Sequence, residues 1–327
     1  MSAWLVGGYT ADMGGTADGI AVLVSAADGS LEHAGYAASA LSPSYLLASG
    51  DLVFAASEGA ARVEAFRRDG TTLTHIGGDD AGGIYPCHLA RFGDTVIASC
   101  YGDGTLGMLN AEPVKLTAML GGEGSGPRTE QEGPHAHSTL SLDGRIVFSA
   151  DLGADRINVH VLHDGVVSRT GSVELAPGTG PRDFRVHPSG YVFLLGELSC
   201  EVLVLSIDGD AITLVGSTPV PGAVDGDHAA ELSLSDDGRF AFVGLRGSNL
   251  IATLAVSEDG STLRGVTATD CGGDWPRHHA VDGDMLHVAN QRSSTVASFR
   301  IRGDGTLVPV GKAIPVASPT FLLRLPA

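Results

Sequence analysis

GPHAHSTLSLDGRIVFSADLGADRINVHVLHDGVVSRTGSVEL, residues 133–175, carries the pattern that decides the fold. It opens on Gly133-Pro134, runs as an apolar strand from Ser138 to Leu142, turns at Asp143-Gly144 and returns from Arg145 to Asp151. After a polar gap a third strand covers Ile157 to Leu162, and a second turn at Asp164-Gly165 leads into Val166 to Leu175. Asp-Gly between alternating apolar runs is a hairpin signal, because glycine supplies the positive φ that such turns require. The stretch therefore reads as four antiparallel strands.

The same grammar recurs along the chain. Opening prolines fall at Pro43, Pro86, Pro134, Pro181, Pro276 and Pro319, in steps of 43, 48, 47, 95 and 43. The step of 95 spans two units, the second opening without proline at His228-Ala229-Ala230-Glu231 before LSLSDDGRFAFVGL. Units of roughly 40–50 residues with four strands each are propeller blades. The unit at Pro319 has room for one strand, Phe321 to Leu325, and the N-terminal 42 residues supply three more, beginning Ala3-Trp4-Leu5-Val6-Gly7-Gly8-Tyr9. Joining the ends closes the ring and removes its open strand edges. The expectation is an all-β, seven-bladed β-propeller of four-stranded antiparallel blades, with residues 1–327 as one domain. The blades opening at Pro43 and Pro86 read as short, and no hairpin is legible around Asn110-Ala111-Glu112-Pro113. No helical pattern of ten or more residues lies between the strands, which excludes a parallel α/β fold.

Composition narrows the function. A hydrophobic fraction of 43% in 327 residues is ample for a core, and a formal charge of −18 argues against nucleic acid and anionic membranes as partners. No run approaches the roughly 20 apolar residues of a membrane span. The start, Met-Ser-Ala-Trp-Leu-Val, lacks a signal-peptide pattern, so a cytoplasmic protein is expected. Cys87, Cys100, Cys200 and Cys271 are scattered without a CxxC, which suggests reduced thiols rather than a zinc cage or disulfides. With 6% aromatic residues there is little material for a protein-binding face, and a monomer is the default.

Propeller geometry locates the site. The first strand of a blade lines the channel and pairs antiparallel with the second. The start of one and the end of the other therefore share a face of the disc. Round the ring these positions hold Tyr45 with Glu58, His88 with Tyr101, His135 and His137 with Asp151, Arg182 with Glu197, His228 with Arg246, and Arg277 with Gln291, while the N-terminal strand adds Tyr9 and Thr10. Three arginines on one rim of an acidic protein are costly unless an anion is to be bound, and the guanidinium fork fits carboxylate or phosphate. The competing reading is a structural Arg182–Glu197 pair in a polar ring that holds water. His135-x-His137, with Asp151 or His88, has the makings of a zinc site, but the arginines disfavour a cation there, and no metal or cofactor is expected. His33, His75, His160, His163, His187 and His287 lie off the rim, and one of His278 and His279 should face inward.

The strand openings GPHAHSTLSLDGR, GPRDFRVHPSGYVFLLGEL, HAAELSLSDDGRFAFVGLRGSN, LAVSEDGSTL and WPRHHAVDGDMLHVANQRSSTVASFRI resemble segments of the seven-bladed lactonase family. That family includes propeller-type 6-phosphogluconolactonases and carboxy-muconate lactonizing enzymes, and the resemblance runs from WLVGGYT to SPTFLLRL. It implies metal-independent chemistry by Arg182, Glu197, Arg246 and one of His135 and His137, with His135 placed first. Arg277 and Gln291 would bind substrate, joined at the rim by His137, His88, His228 and Tyr101. Glu197 or His135 is expected as the base. The expected activity is hydrolysis of an anionic sugar lactone, 6-phosphogluconolactone foremost, with muconate lactonization and a non-catalytic scaffold as rival readings. The Gly-rich loop 121–133, bearing Arg128, is expected to lie over the site.

Overall fold

The computed structural model describes residues 2–326. The strands arrange as seven antiparallel sheets round a central channel. Blade 1 comprises Pro43–Ser49, Leu52–Ser57, Arg62–Asp69 and Thr72–Asp80, from the channel outward. Blades 2 to 5 open on Pro86–Phe92, Ala136–Leu140, Pro181–Val186 and His228–Leu234 in the same way. Blade 6 opens on Pro276–Asp282, and its outer strand is split into Leu307–Pro309 and Ile314–Pro315, where two prolines remove ladder donors. Blade 7 joins the chain ends: Pro319–Arg324 lines the channel and pairs antiparallel with Ala3–Gly8, with Leu5 opposite Leu323. Each opening strand packs on that of the next blade, and Pro319–Arg324 packs on both Pro276–Asp282 and Pro43–Ser49.

The alternation of each strand sends one face toward each neighbouring blade, so the core is laminar. Seven apolar layers result, one per blade interface. Between blades 4 and 5, for example, Phe193, Leu195 and Val204 meet Leu232, Val243 and Leu254. Cys100, Cys200 and Cys271 are buried in such layers as free thiols. Among the described residues the helices are the single turns Ala11–Met13 and Thr129–Gln131, and none is long and apolar enough to cross a membrane.

Blade 2 corrects one expectation. Leu106–Ala111 and Val114–Leu120 do form a hairpin, turning at Glu112-Pro113. The turn contains no glycine, which is why the pattern hid it. The same blade approaches blade 1 closely: a Cβ on Gly107 would stand 1.8 Å from the Ala81 carbonyl oxygen. Backbone cannot yield as a side chain can, so Gly107→Ala is expected to cost about 1–3 kcal/mol, read as a lower urea midpoint at unchanged slope.

Candidate active site

A repeated elbow builds the site. The residue before the opening proline is left-handed in five blades: Ser42 (φ 36°), Tyr85 (54°), Gly180 (59°), Trp275 (67°) and Ser318 (37°). Its carbonyl accepts a hydrogen bond from the N–H of the residue just past the second strand. These bonds run from Glu58 to Ser42 (3.1 Å), Tyr101 to Tyr85 (2.9 Å), Glu197 to Gly180 (2.8 Å), Gln291 to Trp275 (3.0 Å) and Tyr9 to Ser318 (3.1 Å). One backbone device thus sets five rim side chains at the channel mouth. In blade 5 the pairing of His228 with Arg246 places both directly.

Glu197 is the hub. Its Oε2 accepts from Arg182, while Oε1 lies 2.7 Å from Arg246 Nη2 and 3.3 Å from His228 Nδ1. Glu197, Arg182 and Arg246 are each only 6–7% exposed. Burial alone would raise the Glu197 pKa, but Arg246 and Arg182, with the His228 hydrogen bond, hold the carboxyl well below the usual range. Arg246 pays in turn: burial, with Arg182 and Arg277 nearby, pushes it down to about 10 against the pull of Glu197. Its Nη2 has no aligned hydrogen-bond acceptor.

A second carboxylate stands across the mouth. Tyr9 donates to both Glu58 oxygens at 2.9 Å, and Arg277 donates to the Tyr9 oxygen at 2.6 Å while lying 3.7 Å from Glu58. Three guanidinium groups therefore face two carboxylates. His137, depressed in pKa by burial and by Arg182, lines the same cavity as Arg182, Arg277 and Cys87.

The other expected residues separate. His135 stacks on Tyr101 (4.4 Å, 9° between planes), and its nitrogens face the Tyr101 carbonyl at 2.6 Å and Glu132 at 3.8 Å. His88 packs on Tyr45 at 4.7 Å, deeper in the channel. Gln291 carries a buried Oε1 without a partner. The loop 121–133 does reach the rim, through Glu130 (4.0 Å from His228) and Glu132, and buried Gln131 anchors it on Leu152 and Asp155. Arg128 points elsewhere, into a cleft with Leu198 and Val220. Of the adjacent pair, His278 faces the channel and His279 bonds the Phe242 carbonyl in the blade. His160, His187 and His287 are buried against serines, while His33, His75 and His163 are exposed. Among the described residues no group of three His, Cys, Asp or Glu side chains converges as metal ligands.

Below the rim lies a cluster that strand starts do not disclose. Arg185 bonds Asp183 at 2.8 Å and also Glu231, and His278 Nε2 lies 3.6 Å from Glu231. Their signal is period-2 alternation along the channel-lining strands. Burial, with Glu231 nearby and Arg185 opposing, raises Asp183 to about 7. Because this lies above the unfolded value, the folded state holds a proton that the unfolded chain has released. Stability from this group is complete below about pH 4 and is lost as pH rises to about 7. Asp183→Asn should therefore flatten the decline in urea midpoint between those limits, and a parallel decline in both proteins would contradict this.

The sequence profile of the family described as "Lactonase, 7-bladed beta-propeller" matches residues 3–324. A 6-phosphogluconolactonase of Bacillus subtilis is 29% identical over 259 residues, covering 76% of this chain and 72% of that one. The uncharacterized protein YwcC of Lactococcus lactis is 31% identical over 268 residues, covering 77% and 78%. Among solved structures, the Pseudomonas aeruginosa periplasmic gluconolactonase PpgL superposes with a TM-score of 0.91 at 26% identity, covering 99% of each chain. A Lactobacillus plantarum protein gives 0.92 at 28%, covering 100% of each. Repeat, ring closure and profile agree over nearly the whole length, and the chain belongs to the seven-bladed β-propeller lactonase family.

Proposed function

We propose that this protein hydrolyses the ring ester of an anionic sugar lactone, 6-phosphogluconolactone foremost, without a metal, and that the Glu197 cluster is the reacting centre. One observation carries the reading: a buried carboxylate clamped by two guanidinium groups and touched by an imidazole. Family membership supplies the reaction class, and the Bacillus subtilis relative's name supports the substrate.

In this mechanism the lactone carbonyl oxygen meets Arg246, whose unaligned Nη2 can turn to it. Negative charge growing there as water adds is worth about 3–4 kcal/mol per donor. Glu197 takes the proton of the attacking water. Arg182 and Arg246 suppress its basicity. The nascent oxyanion draws on the same guanidinium groups, which raises Glu197 toward the range a base needs. The ester C–O bond then breaks and the proton passes to the leaving ring oxygen. His228 offers a route outward, with one nitrogen on Glu197 and the other toward Glu130. Arg277, His137, Tyr101 and Gln291 frame the sugar, His135 braces Tyr101, and His88 closes the floor.

Proton release from freshly generated 6-phosphogluconolactone, followed in a pH-stat with EDTA present, tests the reading. Turnover well above the spontaneous rate and indifferent to chelator is expected, with Arg246→Ala losing about 10²–10³-fold in kcat. A wild-type rate equal to the spontaneous one would overturn it.

A further inference from the structure

The rim cations described so far are committed: Arg182 and Arg246 to Glu197, Arg277 to Tyr9 and Glu58. A phosphoryl group brought to them would compete with the reacting carbonyl for the same donors. A further cation stands beside them in a different state. Arg292 is exposed, lies 3.4 Å from the centroid of Trp275, and pairs with no carboxylate among the described residues. The same indole carries Arg246 at 5.5 Å. The two guanidinium carbons are therefore no more than about 9 Å apart. A six-membered sugar lactone with a phosphoryl group on its exocyclic carbon can bridge such a span.

The platform is built, not incidental. Trp275 is left-handed at φ 67°, a conformation costly for a bulky residue. It is held there because Asn249 accepts from the Trp275 N–H at 2.8 Å and donates to Asp274 at 2.9 Å. Asp274 and Trp275 also accept backbone N–H groups of Arg292 (3.1 Å) and Gln291 (3.0 Å), and Ser293 Oγ accepts from the Asp274 N–H at 3.0 Å. Next to Arg292, the Gln291 Oε1 is buried without a partner. An indole face fixes a guanidinium plane through cation–π contact while leaving its in-plane N–H fork free.

We propose that Arg292, laid on Trp275, takes the terminal phosphoryl group of the substrate and sets the preference for phosphorylated over unphosphorylated sugar lactones. Gln291 serves the adjoining hydroxyl with its buried oxygen. This rests on the lactonase reading for its substrate class, so the test uses binding instead of turnover. The chain has two tryptophans, Trp275 and Trp4, and Trp4 is fully buried in the layer between blades 6 and 7. Tryptophan fluorescence therefore reports on the platform.

The experiment titrates 6-phosphogluconate and D-gluconate into wild type, Arg292→Ala and Arg292→Lys. The wild type should bind the phosphorylated acid more tightly. Arg292→Ala should cut that preference about tenfold, the worth of one charge-assisted hydrogen bond, and Arg292→Lys should restore part of it as a point charge lacking the fork. A preference unchanged in Arg292→Ala, or none in the wild type, overturns the proposal. A preference that depends on Arg292 in a protein that hydrolyses no lactone would sink the lactonase reading and leave the anion subsite standing.

Discussion

Glu197→Gln is expected to lower kcat/KM on 6-phosphogluconolactone by about 10²–10⁴-fold, the usual contribution of a positioned base. The substitution keeps shape and removes the charge, so a steric explanation of the loss is excluded. It also leaves Arg182 and Arg246 without their carboxylate partner. Uncompensated buried charge of this kind typically costs about 3–5 kcal/mol, so the variant should melt earlier than wild type. Inorganic phosphate should recover more stability in the variant than in wild type, because an anion replaces the missing carboxylate. Activity loss with a native circular dichroism spectrum and phosphate rescue of the melt together distinguish a catalytic from a merely structural pair. If Glu197 only neutralised the arginines, turnover would persist in the folded variant assayed without phosphate.

Opening the ring is the second large effect. Removal of residues 319–327 strips the pairing partner from Ala3–Gly8 and exposes the apolar layers on both sides of blade 7. Phe321, Leu322 and Leu325 are each less than a tenth exposed. At about 1.5–3 kcal/mol per buried side chain, their loss rivals the whole stability of an ordinary protein, about 5–15 kcal/mol. The truncated chain should show no cooperative melt and should aggregate through the bared edge. Phe321→Ala gives a graded version. The ring packs on Tyr45 at 4.2 Å and His278 at 4.0 Å, tying blade 7 to blades 1 and 6. A loss of about 3–5 kcal/mol is expected, measured by urea unfolding. A truncation that melts like the full chain would refute the closure argument.

Much of this was legible because a propeller is periodic. Prolines at nearly even steps and Asp-Gly turns carry the blade count, and channel geometry then places strand ends on one face. Tyr9, Glu58, Arg182, Glu197, Arg246 and Arg277 followed from that alone. What stayed hidden had either no turn signature or a partner far along the chain. Glu112-Pro113 turns without glycine. Arg185 meets Glu231 across 46 positions, and Tyr9 meets Arg277 across 268, which only the closed ring brings together. The left-handed Trp275 carries a conformation that its residue type argues against, so Asn249 had to be seen in place. His135 is the converse case: its motif reads as reactive, while in the fold one ring nitrogen meets the Tyr101 carbonyl and the ring stacks on Tyr101.

The most direct test is a crystal of Glu197→Gln soaked briefly with freshly generated 6-phosphogluconolactone and frozen before the lactone opens unaided. The ring carbonyl is expected within hydrogen-bond reach of Arg246 and the lactone's reacting carbon beside residue 197. A lactone bound on the outer faces of the blades, with the Arg182–Arg246 mouth empty, would contradict it.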